Sequence, residues 1–425
     1  MTPSLARKRN ASRWLAVFFL GGSWLIGGAE NLPVAEAATS RPKVFCADPQ
    51  TLAASQARLA VGDASLQPVL HQLLADADQR LPQKPPSVMD KKQIPPSGDQ
   101  HDFISQAPYF WRDTNSPDGK YIRRDGERNP ESGKDSDSGR FQKTCADAHT
   151  LALAFYFSSD EKYAAKATEL IRVWFLNPAT KMNPNFKYGQ GIPGEVEGRP
   201  AGLISARGLV QLVDAIGLLA ASKSWTAADQ QGMTAWFTEY LHWLTTSKIG
   251  RGELDAKNNH GTFCDTQAAA IALFLGKTEM ARDLVSQARE KRVARQIEPD
   301  GRQPLELART TSFGYSCFNL RALMDLAGLG RSVGVDLWHY QTADGRSILK
   351  ATEFMAQYAD PKSKWPFQQI HAANRGDLGE LLLRAAAEFP ESKPIQDGLK
   401  FFKTENLADS PARLYLKTAH LPAAK

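Results

Sequence analysis

Side chains able to hold an anion and move a proton cluster in two short stretches of this 425-residue chain. In "DAKNNHGTFCDTQ", Asp255 to Gln267, two amides and an imidazole stand together as Asn258, Asn259 and His260, followed by Gly261, Thr262 and a return to apolar periodicity. In "DGRQPLELARTTSFGYSCFN", Asp300 to Asn319, a cation and a phenol, Arg309 and Tyr315, are six residues apart, with Ser316 and Asn319 leading into an apolar helix. Asn and Thr are good N-cap residues and Gly suits a tight turn, so capping accounts for part of the first stretch. It does not account for the imidazole.

These groups need a scaffold, and the pattern supplies helices. "ADAHTLALAFYFSS", "GLISARGLVQLVDAIGLLAAS", "TAADQQGMTAWFTEYLHWLTTS", "TFCDTQAAAIALFLG" and "SCFNLRALMDLAGLG" keep apolar residues at spacings of three and four. Strand-like alternation is scarce. Successive helices joined by short Gly, Asp or Ser breaks, with no fixed repeat, predict an all-α fold: an α/α toroid of antiparallel helical hairpins whose long loops line one mouth. Residues 84 to 145 are rich in Pro, Gly, Asp and Ser and read as long connections carrying aromatic and basic residues. His149 lies on an apolar helix face and reads as core.

The first 37 residues stand apart. Arg7, Lys8, Arg9 and Arg13 precede "WLAVFFLGGSWLIGGA", and Ala35 and Ala37 offer a small-residue cleavage site, the pattern of a secretory signal. Residues 38–425 are then expected to form one catalytic domain, periplasmic or secreted, with no stable membrane insertion after cleavage and no later apolar stretch of membrane length. Removing the signal lowers the net charge from +6 to +4. That mild excess suits an acidic polymer, but without a Lys/Arg block it predicts no nucleic-acid partner. Cys46, Cys145, Cys264 and Cys317 would enter an oxidising compartment, where a Cys46–Cys145 pair is the favoured disulfide. Their spacing is wrong for a zinc knuckle. No HExxH pair, phosphate-cradling loop, nucleophile elbow or dinucleotide fingerprint is present, so no metal and no cofactor is expected.

The motifs carry a resemblance. "NNHGT" before an apolar helix, then "DG.Q..EL.RT.S..YS.FNL" some forty residues later, resembles the alginate lyase superfamily of polysaccharide lyases. "YIRRDGERNPE", "DPQTL" and "NPN..YGQ.IPG...GR" bring it closest to the branch classed as polysaccharide lyase family thirty-eight, from about Val44 to Tyr358. Phe263 and Cys264 stand where the resemblance implies aromatic residues, and Gly314 where it implies a bulkier one; these departures touch the pocket wall.

The resemblance implies β-elimination on a uronate polymer of alginate or glucuronan type, an acidic polysaccharide bound by a monomer. The C5 proton becomes acidic once the adjoining carboxylate is neutralised, and loss of O4 follows. Asn259, with His260 or Arg309, would neutralise the carboxylate. Tyr315 would take the proton if Arg309 or a protonated His260 favours phenolate, and would return it to O4. His260 is the alternative base for the other C5 epimer. Asn258, Tyr188, Gln190 and Arg199, with Trp111, Arg123, Arg124 and Arg128, would contact the sugar chain. Two other readings predict different outcomes: a glycoside hydrolase using a pair from Asp255, Asp265, Glu195, Glu197 and Glu306, and a non-catalytic periplasmic binder of acidic polysaccharide.

Overall fold

Several helices follow from a side-chain cap and an apolar stripe. In the computed structural model, which describes residues 41–402, 407 and 410–419, helix α3 (Asp137–Ser158) starts at Ser136, whose side chain accepts from the Ser138 N–H, and stops at Ser159 with φ of 58°. Its buried stripe of Phe141, Cys145, Ala148, Ala152 and Phe155 has helical spacing. Helix α6 (Ala227–Thr246) opens with a capping box between Thr226 and Asp229. Helices α1 (Pro49–Ala60) and α2 (Gln67–Asp78) precede α3, and α4 (Glu161–Ile171) and α5 (Leu209–Leu219) follow it. Helix α7 (Lys248–Leu254) leads to α8 (Asn259–Phe274), α9 (Thr278–Ala288), the one-turn α10 (Pro304–Leu307) and α11 (Ser312–Arg331). Helices α12 (Ile348–Ala356), α13 (Gly376–Glu388) and α14 (Lys393–Leu399) complete this series.

The hairpins pack as an all-α toroid, α3 against α2, α4 and α5, and α8 against α5, α7, α9 and α11. Helix α8 is buried along nearly its whole length, so it has no apolar stripe against a solvent face, and its buried Thr262, Asp265, Thr266 and Gln267 are each hydrogen-bonded. The 20-residue stretch Pro200–Leu219, a 3₁₀ turn running into α5, is long and apolar enough to cross a membrane by composition. This corrects the expectation that no later stretch reaches that length; most of it is packed inside the ring, which accounts for its apolarity.

Two small sheets stand in segments read as irregular. Strand β1 (Ile104–Gln106) pairs in parallel with β4 (Tyr188–Gly191), and β2 (Phe110–Arg112) pairs antiparallel with β3 (Tyr121–Arg123), Trp111 opposite Ile122. Strands of three or four residues are too short to show alternation. Beside β4, a Cβ on Gly202 would lie 2.4 Å from the Gly189 backbone, so only glycine lets the 3₁₀ stretch approach the strand.

The described residues belong to one compact unit. Asp214 of α5 accepts the N–H groups of Phe45, Cys46 and Ala47, and the Asp48 N–H donates to the Tyr415 carbonyl at 2.7 Å. All four cysteines are free, against the expected Cys46–Cys145 pair: Cys145 packs on Gly208, and Cys46 is held through its backbone by Asp214. The expected signal segment lies outside the described residues.

Candidate active site

Asn259, His260, Arg309 and Tyr315 line one open cleft of about 1150 Å³. The starts of α8 and α11 bring them there, opposite the β2–β3 hairpin, β4 and the 3₁₀ stretch after Arg199.

The start of α8 is tied down from behind. Asn258 occupies the N-cap position, but its side chain makes no capping bond, and Thr262 instead donates to Gln296 Oε1 at 3.0 Å. Capping therefore does not explain these residues. The cap comes from α10: Glu306 accepts the Asn259 backbone N–H and Nδ2–H on its two oxygens, each at 2.7 Å. Burial pushes the Glu306 carboxyl above its usual range, against the pull of those two donors. Gly261 is required here, because a Cβ would meet the Ala256 carbonyl at 2.1 Å and the Arg292 guanidinium. Arg292 in turn fixes the turn into α8 through the Leu254 and Ala256 carbonyls and Asp265. His260 shares a 2.7 Å hydrogen bond between Nδ1 and Glu253 Oε1. With the carboxylate accepting, Nδ1 carries the hydrogen, so in the neutral imidazole the lone pair is on Nε2.

The start of α11 is arranged differently. Arg309 stacks 3.6 Å above the Tyr315 ring centroid, yet its Nε and Nη2 are held by Asp125, the shortest contact 2.6 Å. Burial opposes the Asp125 carboxylate, but Arg309 and the Thr310 N–H outweigh it and hold it well below the usual range. The Tyr315 hydroxyl lies 2.7 Å from that of Tyr109. Burial, then Tyr109, pushes the Tyr315 phenol well above its ordinary value. Arg309 does pull Tyr315 toward phenolate, as expected, but burial and the Tyr109 hydroxyl outweigh it and Asp125 opposes it further, so Tyr315 rests as a phenol.

Of the expected substrate contacts, Asn258, Arg123, Arg128, Gln190 and Arg199 line the cleft. Tyr188 is buried beneath Lys187, and Trp111 lies under Arg124 with its indole N–H on the Glu127 carbonyl; neither is among the lining residues. Gln190 has a φ of 48°, a strained backbone of the kind that collects at functional sites. Its carbonyl and side chain hold Arg199, which stacks on Phe110. Sequence reasoning missed Tyr109, Asp125, Arg207, Glu253 and Arg321, and named Glu306 only among the carboxylates of the alternative hydrolase reading. The carboxylates proposed for hydrolysis are dispersed. Asp265 is bound to Arg292, Asp255 is exposed, Glu195 and Glu197 line a separate groove, and Glu306 is committed to Asn259. Among the described residues no group of three His, Cys, Asp or Glu side chains is placed to hold a metal ion.

The family model for alginate lyase matches residues 87–365. The chain belongs to the alginate lyase family. It is a polysaccharide lyase. A solved alginate lyase from Bacteroides ovatus is 40% identical, with 88% of this chain and 98% of that one covered and a TM-score of 0.84. A variant of alginate lyase A1-III complexed with a tetrasaccharide matches at 17% identity over 92% of this lyase and 99% of its own chain, TM-score 0.57. Alginate lyase A1-III from Sphingomonas species A1 matches at 16% identity over 83% and 91%, TM-score 0.52. These last two share the fold. No curated protein sequence matches this lyase.

Proposed function

We propose that this lyase cleaves an alginate-type or glucuronan-type polyuronate by β-elimination. The observation that carries the reading is a proton-bearing phenol and an imidazole with a free lone pair facing one cleft, beside a carboxamide donor. The cleft also offers Arg128, Arg199 and Arg207, none of which forms an ion pair with a carboxylate among the described residues. Such guanidiniums suit the carboxylates of a repeating uronate chain. The alginate named for the 40% identical enzyme and the motifs of family thirty-eight support the same class.

Asn259 Nδ2 donates to the carboxylate of the sugar being cleaved and stabilises the enolate-like charge that grows on it. Where the C5 hydrogen lies on the face opposite O4, His260 Nε2 removes it, the C4–C5 double bond forms, the C4–O4 bond breaks, and Tyr315 gives its proton to O4. Histidinium and phenolate then exchange the proton to restore both groups. Where C5–H and O4 share a face, Tyr315 works alone. It first loses its proton to solvent, with the Tyr109 hydroxyl donating to the phenolate, then takes the C5 hydrogen and returns it to O4.

The test is incubation with polymannuronate, polyguluronate and glucuronan while following the ultraviolet absorbance of the unsaturated product. New reducing ends without that absorbance would replace elimination by hydrolysis; bound polymer with neither would leave a binder. The basic, apolar and small-residue order of the first 37 residues supports export of a chain beginning near residue 38, which we take to act as a monomer. N-terminal sequencing and sizing of the secreted chain check that.

A further inference from the structure

The Asn259 carboxamide is held from one side. Its Nδ2 and its backbone N–H both donate to Glu306, whereas its Oδ1 is buried with no hydrogen-bond partner. The two ends of a carboxamide are nearly alike in shape but opposite in hydrogen-bonding sense, so packing alone does not choose between its orientations. Glu306 presents two acceptors to this end of the residue. A turned amide would set Oδ1 against a carboxylate oxygen, at a site where the carboxylate is 1% exposed and little screened. Pro304 at the start of α10 and its single turn place Glu306 three residues before Arg309, between the two halves of the cleft.

We infer that Glu306 is a positioning residue whose carboxylate fixes the Asn259 carboxamide with its second Nδ2 hydrogen available to the substrate carboxylate. This rests on the assignment of Asn259 to carboxylate binding made above. A buried carboxylate with no Lys or Arg bound to it is costly to keep, and an apolar residue would serve α10 as well. What a carboxylate does here that a neutral side chain cannot is accept from both Asn259 donors at once.

The test is Glu306→Gln, alone and with Asn259→Asp. A glutamine keeps an acceptor for the backbone N–H but points a donor at Nδ2, so the Asn259 amide turns and offers Oδ1 to an anionic substrate. The expected result is a kcat lower by about 10- to 100-fold, the scale of a misplaced catalytic group, with KM changing far less. In the paired variant the new carboxamide donates to the new carboxylate. It should regain the melting temperature lost in Asn259→Asp alone and stay inactive, because an acceptor still faces the substrate. A Glu306→Gln enzyme within about twofold of wild-type kcat, or a paired variant that recovers turnover together with stability, would overturn the inference. Wild-type enzyme giving no unsaturated product from any polyuronate would refute the functional reading instead. A neutron structure of Glu306→Gln, in which the deuteriums mark the amide nitrogen, then still decides the orientation: a turned amide supports the positioning role and an unturned one removes it.

Discussion

The two helix starts that meet at the cleft carry opposite arrangements of charge. At α8 the neutral groups face the cleft and carboxylates stand behind them, Glu306 on Asn259 and Glu253 on His260. At α11 a phenol faces the cleft, and the cation stacked on it is bound by Asp125. The first leaves a lone pair and a donor hydrogen on offer, while the second keeps its own proton. One side is built to accept a proton and hold an anion, the other to give a proton up.

The largest expected effect comes from removing the proton on the α11 side. Tyr315→Phe keeps the ring under Arg309 and deletes the hydroxyl, so kcat should fall by about 10² to 10⁴ on every polyuronate while binding holds, checked by steady-state kinetics and a binding isotherm. A variant retaining a third of wild-type kcat would move proton donation elsewhere. Less uniform is His260→Ala, which breaks the α8 side. It should cost about 10² or more in kcat where C5–H is opposite O4 and much less where the two share a face; equal losses on both epimers would merge the two roles into one. The smallest effect should come from Asp125→Asn, a probe of the charge cancellation. With the carboxylate gone, Arg309 is uncompensated beside Tyr315, so phenolate is favoured and the phenol's ionisation moves to lower pH. The alkaline fall in kcat for the epimer that needs Tyr315 as an acid should then begin at lower pH than in wild type, with a change of only a few-fold near neutrality. An unmoved alkaline limb would show that burial and Tyr109 alone set the phenol.

The contrast also explains what could be read in advance. Helical spacing made α3, α5, α6, α8 and α11 legible, and the two motif stretches placed Asn259, His260, Arg309 and Tyr315 in one cleft, because each is local. The partners that set their chemistry are not local. Asp125 lies 184 residues from Arg309 and Tyr109 lies 206 from Tyr315, both in the segment read as irregular connections. No periodicity links such pairs. Glu253 and Glu306 do lie near the motifs in sequence, but a single carboxylate says nothing of which donor it will meet. The capping expectation fell short for the same reason: an Asn does stand at the N-cap, but a buried carboxylate from another helix accepts the bonds.

The joining of Asp48 to the Tyr415 carbonyl bears on the order of assembly. The short helix Ala412–Tyr415 packs on α1 and α2, so elements more than 300 residues apart in sequence close against each other. Local hairpins such as α3–α4 can form as soon as they are made, whereas this seam must wait until residue 415 has been made. Without residues 412–415 the faces of α1 and α2 they cover are left open, so their removal should cost more stability than four residues suggest.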